Sequence, residues 1–175
     1  MEVELNKRDA AAVLVILTEF DTGDHVLLTQ RASQLKIHAG EVAFPGGKWE
    51  PGDVCLKQTA LRETHEEIGL AADCINIIGQ LPTGHTRYQS EVTPYVGRVS
   101  NNVILTVNKS ELDSFFWVPI SFFIDDTRVR TDSFHYRGME FWAPAYTYDG
   151  YLIWGFTARI LVALLDRFYG VTLAK

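Results

Sequence analysis

Apolar and polar positions follow two different periods along this chain, and the switches between them mark its elements. Residues 11–20 form a β-branched and aliphatic run, Asp21-Thr22-Gly23-Asp24 is a turn cluster, and apolar character returns over 25–29, which predicts a hairpin. Over 54–68 the positions Leu56, Ala60, Leu61, Thr64 and Ile68 recur at helical spacing, with Asp53 as the predicted N-cap and Gly69 as the stop. Further strands are predicted at 75–81, 91–99, 102–107 and 115–119, then hairpin strands within 128–136 and 141–154, the last turning at Tyr148-Asp149-Gly150. A closing amphipathic helix is predicted over 155–169, where Phe156, Ile160, Leu161, Leu164, Leu165 and Phe168 share a face and Gly170 follows. No repeat, low-complexity tract or linker interrupts the pattern, so residues 1–175 are expected to form one mixed α/β domain.

Composition narrows the functional classes. No apolar run is long enough to span a bilayer, and the first residues lack the order of a secretory signal, so a cytoplasmic protein without a membrane partner is expected. Cys55 and Cys74 sit in no metal-ligand spacing and cannot build a disulfide framework; buried or incidental thiols are expected. The net charge of -6 argues against a nucleic-acid partner.

Charge patterning is most informative between 46 and 70. On a helix Glu63 lies three residues from Glu66 and four from Glu67, so three like charges share one side. Glu66 and Glu67 also occupy the last turn, where the helix dipole already presents negative charge. A solvated acidic face with an Arg62–Glu66 pair is the plain alternative, worth roughly 0.2–0.5 kcal/mol. The glycines Gly46 and Gly47 just upstream favour a metal platform instead, because a tight loop there can bring a backbone carbonyl beside the carboxylates as a further oxygen ligand for a hard cation. Arg31, Lys36, His38 and Lys48 form a basic island just before this helix, which suits phosphate contact in an otherwise acidic chain.

The segment resembles the box of the Nudix hydrolases: Gly, five residues, Glu, seven residues, then Arg-Glu-apolar-any-Glu-Glu-any-Gly-apolar. Here Gly47 is followed by five residues and Asp53, then eight residues and Arg62-Glu63-Thr64-His65-Glu66-Glu67-Ile68-Gly69-Leu70. The Asp at the first acid and the extra residue resemble one branch, the CoA pyrophosphatases. That branch carries an upstream pattern Leu-Leu-Thr-any-Arg-Ser, three residues, Arg, three residues, Gly, three residues, Phe-Pro-Gly-Gly. Residues 27–47 keep its spacing throughout, with Ala32 in place of Ser and Lys36 in place of Arg. The likeness extends over residues 11–169 and is strongest over 27–70.

The resemblance implies an α/β/α sandwich with a mixed β-sheet between helices, and metal-dependent cleavage of a diphosphate. By it, Glu63 and Glu67 are expected to hold Mg²⁺ or Mn²⁺ together with the Gly47 carbonyl, while Glu66 serves as a further ligand or water-orienting base. Arg62 is expected to orient the carboxylates, and Arg31, Lys36 and Lys48 to contact the substrate. The substrate the resemblance implies is coenzyme A or an acyl-CoA, expected to be cut to 3′-phosphoadenosine 5′-phosphate and 4′-phosphopantetheine. A Nudix enzyme for ADP-ribose, NADH or a nucleoside triphosphate is the alternative, as is a binding module without catalysis; a homodimer is compatible with either. His85, Arg87 and Tyr88 are weighed as adenine or 3′-phosphate contacts against simple loop polarity. Glu111 is weighed as an extra acid near the metal against a turn cap, with the cap preferred, and His65 is expected on the helix surface. The aromatics Phe122, Phe123, Trp142, Tyr146, Tyr148, Tyr151 and Trp154 are expected mostly in the core.

Overall fold

The computed structural model describes residues 9–86 and 90–175. Strand β1 (Ala10–Phe20) and strand β2 (Gly23–Arg31) make the expected hairpin, yet they pair only from Leu17↔Val26 to Phe20↔Gly23. Toward the other end they part. There β3 (Val42–Ala43) pairs with β2 at Thr29 and Gln30, and β4 (Gly46–Lys48) pairs with β1 from Ala11↔Lys48 to Val13↔Gly46. Phe44 and Pro45 bridge the gap, and the Pro45 carbonyl accepts the Leu14 N–H at 2.8 Å. Proline has no N–H to leave unpaired at that crossing.

The sheet is completed by β5 (Asn76–Gln80), β6 (Gly84–His85), β7 (Glu91–Arg98) and β8 (Leu112–Pro119). Its order is β3-β2-β1-β7-β5, with β4, β6 and β8 pairing β1, β7 and β2, and β1 runs parallel to β7 while the other pairs are antiparallel. Helix α1 (Leu56–Ile68) covers one face, burying Ala60 and Ile68 against Ala12, Leu14, Ile16 and Leu27. Helix α2 (Ile120–Ile124), strands β9 (Arg130–Tyr136), β10 (Met139–Tyr148) and β11 (Tyr151–Ile153), and helix α3 (Gly155–Tyr169) cover the other. There Ile160, Leu161, Leu164 and Leu165 of α3 pack on Val15, Leu17, Val26 and Leu28. Successive β1 side chains thus enter opposite cores, which is why its sequence reads as a continuous apolar run. The result is the expected mixed sheet between helices.

Two local expectations change. Residues 102–107 are not a strand: they run along the C-terminal end of α1, where the Thr106 and Asn108 N–H groups donate to the Ile68 and Glu67 carbonyls and Ile104 stays exposed. β-branched composition reads as a strand, but these donors end the helix instead of joining a sheet. Asp53 is not the N-cap; that position is Cys55, which makes no side-chain capping bond. Cys55 and Cys74 are free and exposed, the incidental rather than the buried of the two expected alternatives. Phe123 and Tyr146 lie in the core as expected, while Phe122 packs edge-on against both and against Tyr148. Among the described residues no helix is long and apolar enough to cross a membrane.

Gly46 carries the geometry of the parted hairpin. Its φ is +155°, and a Cβ there would lie 2.3 Å from the Ala12 carbonyl oxygen and 2.6 Å from the Val13 Cα. Backbone cannot yield as a side chain can, so Gly46→Ala is expected to destabilise the fold by about 2–3 kcal/mol, read as a lower urea midpoint at constant slope. A midpoint matching the parent would contradict this packing.

Candidate active site

The C-terminal half of α1 faces the gap between β1 and β2, and its acids divide by side. Glu67 is buried, with 3% of its surface exposed, whereas Glu66 points outward with 47% of its side chain exposed. Each inner acid meets one glycine of β4. A Cβ on Gly47 would fall 2.4 Å from the Glu63 carboxyl, and the Gly46 N–H donates to Glu67 Oε2 at 3.4 Å. Any side chain at 47 would therefore push Glu63 off the loop. The helix ends at Gly69 with φ 70°, its N–H donating to the His65 carbonyl, and His65 is exposed as expected.

Arg62 ties this region together. Its Nε and Nη2 donate to the two oxygens of Asp53, each at 3.0 Å, and Nη2 also donates to the Lys48 carbonyl at 3.0 Å. Nη1 reaches Glu63 Oε1 at 3.0 Å and Glu66 Oε2 at 3.2 Å. Asp53 further accepts from the Thr59 hydroxyl at 2.9 Å and the Glu50 N–H at 3.1 Å. The fork of Arg62 holds the Asp53 carboxyl down to about 2, and Asp53 in turn raises Arg62 above its ordinary value. Asp53, first of the box acids, thus orients Arg62, and Arg62 bridges the inner Glu63 and the outer Glu66.

A further acid completes the site. Among the described residues Glu63, Glu67 and Glu111 form a group whose carboxylate oxygens lie within 4.8 Å of one another, and Glu66 stands outside it. Glu111 is brought there by a distant pairing: β8 pairs along β2, the Ala32 N–H donates to the Glu111 carbonyl at 2.9 Å, and the Ser33 N–H donates to Asp113 at 3.1 Å. The Asn108 amide donates to Glu111 Oε1 at 2.9 Å, so the cap-like contact expected from sequence coexists with a place in the acid cluster.

Electrostatics make this cluster demanding. Burial, then the charges of Glu63 and Glu111, push the Glu67 carboxyl up to about 8, and the Gly46 N–H and Arg31 offset only part of that. Glu63 is raised as well, mainly by burial, against the pull of Arg62. Three hard oxygen donors around one point suit a divalent cation, which would remove the repulsion. The Gly47 cradle, which holds Glu63 at the loop, fits the same use.

Of the expected substrate contacts, Arg31 is near enough for its charge to pull on Glu67, and its buried Nε has no hydrogen-bond partner. Lys36 and Lys48 are exposed, Lys36 on the loop after β2 and Lys48 at the end of β4. His38 is paired with Glu41 at 2.7 Å. Ala32 is fully buried, so this departure from the upstream pattern faces the interior. His85 stacks on Tyr136 with ring centroids 5.4 Å apart, while Arg87 and Tyr88 lie outside the described residues.

Comparison with known proteins agrees with this geometry. The model of the NUDIX domain matches residues 8–136. An uncharacterized Nudix hydrolase NudL of Yersinia pestis (strain Pestoides F) is 35% identical over 162 residues, covering 93% of this chain and 80% of the relative, and the same values hold for a NudL of Yersinia pseudotuberculosis. A C. elegans Ap4A hydrolase binary complex shares the fold with a TM-score of 0.55 at 23% identity, covering 66% of this chain and 83% of that one. The NUDIX domain of Shewanella oneidensis NrtR, complexed with ADP ribose, does so with a TM-score of 0.50 at 21% identity, covering 71% and 79%.

The raised Glu67 carboxyl has a stability consequence. The folded, metal-free protein keeps this proton up to about 8, whereas the unfolded chain releases it near 4.5. The folded state binds more protons in that window, so stability from this group falls as pH rises through it. A cation competes with that proton. The rise in melting temperature caused by Mg²⁺ is therefore expected to be larger at about pH 9 than at about pH 6, and small at both in Glu67→Gln. Equal Mg²⁺ shifts at the two pH values would contradict the assignment.

Proposed function

This chain belongs to the Nudix hydrolase family, and from that premise we propose that it splits the diphosphate bond of coenzyme A or an acyl-CoA. The products are 3′-phosphoadenosine 5′-phosphate and the matching 4′-phosphopantetheine. The observation that carries the reading is the placement of residues 27–47: the segment whose spacing resembles the CoA pyrophosphatase pattern delivers Arg31, with its unsatisfied buried Nε, beside the Glu63–Glu67–Glu111 cluster. A buried donor without a partner is costly, and a diphosphate oxygen would satisfy it.

In this reading Glu63, Glu67 and Glu111 hold Mg²⁺ or Mn²⁺, with the Gly47 carbonyl as a further oxygen. A cation bound there would supply an activated water and neutralise charge on the departing phosphate. Glu66, at the exposed rim and hydrogen-bonded to Arg62, orders the water and accepts its proton as the oxygen joins phosphorus and the bridging P–O bond breaks. Arg62 fixes the Glu63 and Glu66 carboxylates. Arg31 grips the diphosphate, while the exposed Lys36 and Lys48 add positive charge at the approach, so an acidic chain can admit an anionic substrate. The protein acts on a small molecule, in the cytoplasm, with no nucleic-acid partner.

Incubation with Mg²⁺ or Mn²⁺ and CoA, acetyl-CoA, ADP-ribose, NADH and dGTP, with products identified by mass, tests this directly. CoA or acetyl-CoA is expected to show the highest kcat/KM, and Glu67→Gln to lower kcat by about 100-fold or more while the circular dichroism spectrum stays that of the parent. A clear preference for ADP-ribose would move the protein to another branch, and parent-like turnover by Glu67→Gln would overturn the metal helix.

A further inference from the structure

Arg159, on α3, stands away from the acid cluster and has no carboxylate partner among the described residues. Its guanidinium lies 4.6 Å above the Phe141 ring and 5.9 Å from the Phe156 ring, and it makes no hydrogen bond or ion pair among the described residues. Burial alone lowers its pKa, with no acid nearby to oppose the shift. Four other arginines are matched by carboxylates: Arg62 by Asp53, Arg98 by Asp24, Arg128 by Asp126 and Arg130 by Asp132. A guanidinium stacked on rings is held in one orientation while its N–H edge stays free. Leaving that edge partly desolvated and unpaired is unfavourable unless an anion arrives to take it.

The position is tied to the catalytic loop. The Thr157 hydroxyl donates to the Val42 carbonyl at 3.0 Å, and Val42 opens the stretch that leads through Phe44 and Pro45 to Gly46 and Gly47. Phe156 packs beneath β6, where a Cβ on Gly84 would lie 2.7 Å from its ring. Lys48 pairs with Ala11, Ala11 with Val92, and Val92 with Gly84, which sets β6 three strand spacings, about 14 Å, from β4. One nucleotide and a long arginine side chain together cover that gap.

We propose that Arg159, set against Phe141 and Phe156, holds the 3′-phosphate on the nucleoside half of the substrate. The inference rests on the CoA reading above and divides the labour within it: Arg31 serves the diphosphate at the metal, and Arg159 reads the phosphate that distinguishes CoA from ADP-ribose. A site that pairs this group disfavours a ligand lacking it, since the guanidinium is then left unpaired.

Binding of adenosine 3′,5′-bisphosphate and of AMP, each measured by calorimetry without metal, tests the proposal independently of turnover. The parent is expected to bind the bisphosphate about tenfold more tightly than AMP, and Arg159→Gln to bring the ratio near one. Should Arg159→Gln fail to fold, phenylglyoxal modification of the parent, mapped by mass spectrometry, gives the same answer: the bisphosphate is expected to protect Arg159, and AMP not to. A parent ratio near one, a ratio kept in Arg159→Gln, or unprotected Arg159 would overturn it. Failure of the parent to cleave CoA in the substrate panel would instead count against the CoA reading.

Discussion

Glu63, Glu67 and Glu111 converge on one point that the protein itself leaves under-neutralised, and the surrounding structure is arranged to tolerate this. Burial and mutual repulsion push Glu67 up to about 8; Arg31 offsets only part of that, and Arg62 divides its donors among Asp53, Glu63 and Glu66. The acids also sit at the end of α1 where the dipole disfavours them. Local stability alone would select other residues here. Such a cluster persists because a cation and an anionic substrate supply what the fold lacks, the usual sign of a site built for function rather than stability.

The parted hairpin is what makes room for it. If β1 and β2 paired along their whole length, β4 could not lie against β1, and the two glycines would not reach Glu63 and Glu67. The Pro45 crossing, the Gly46 backbone geometry and the Arg62–Asp53 pair hold that opening in place from three sides. Arg159 repeats the theme, as a charge set on the Phe141 ring without an acidic partner among the described residues.

Much of this was legible in the residue order, for identifiable reasons. Helical spacing alone placed Glu63, Glu66 and Glu67 on one turn, and the glycines marked a tight approach. Which acids turn inward was not legible, because it depends on where β4 lies against the helix. Asp53 read as a cap because its local context satisfies the capping pattern, yet its carboxylate serves Arg62, nine residues on. Glu111 was undervalued because it reaches the cluster through β2–β8 pairing, with partners such as Ser33 and Asp113 80 residues apart. The 102–107 segment misled because β-branched residues favour strands only when a sheet edge is free to take them.

Glu111, rather than Glu66, shares the inner set with Glu63 and Glu67, and Mn²⁺ binding tests most directly whether it is a ligand. Electron paramagnetic resonance titration of free Mn²⁺ would compare the parent with Glu111→Gln and Glu66→Gln, without substrate. Glu111→Gln is expected to weaken Mn²⁺ binding by about tenfold or more and Glu66→Gln by clearly less. The reverse order, or parent-like binding by Glu111→Gln, would contradict the cluster described here.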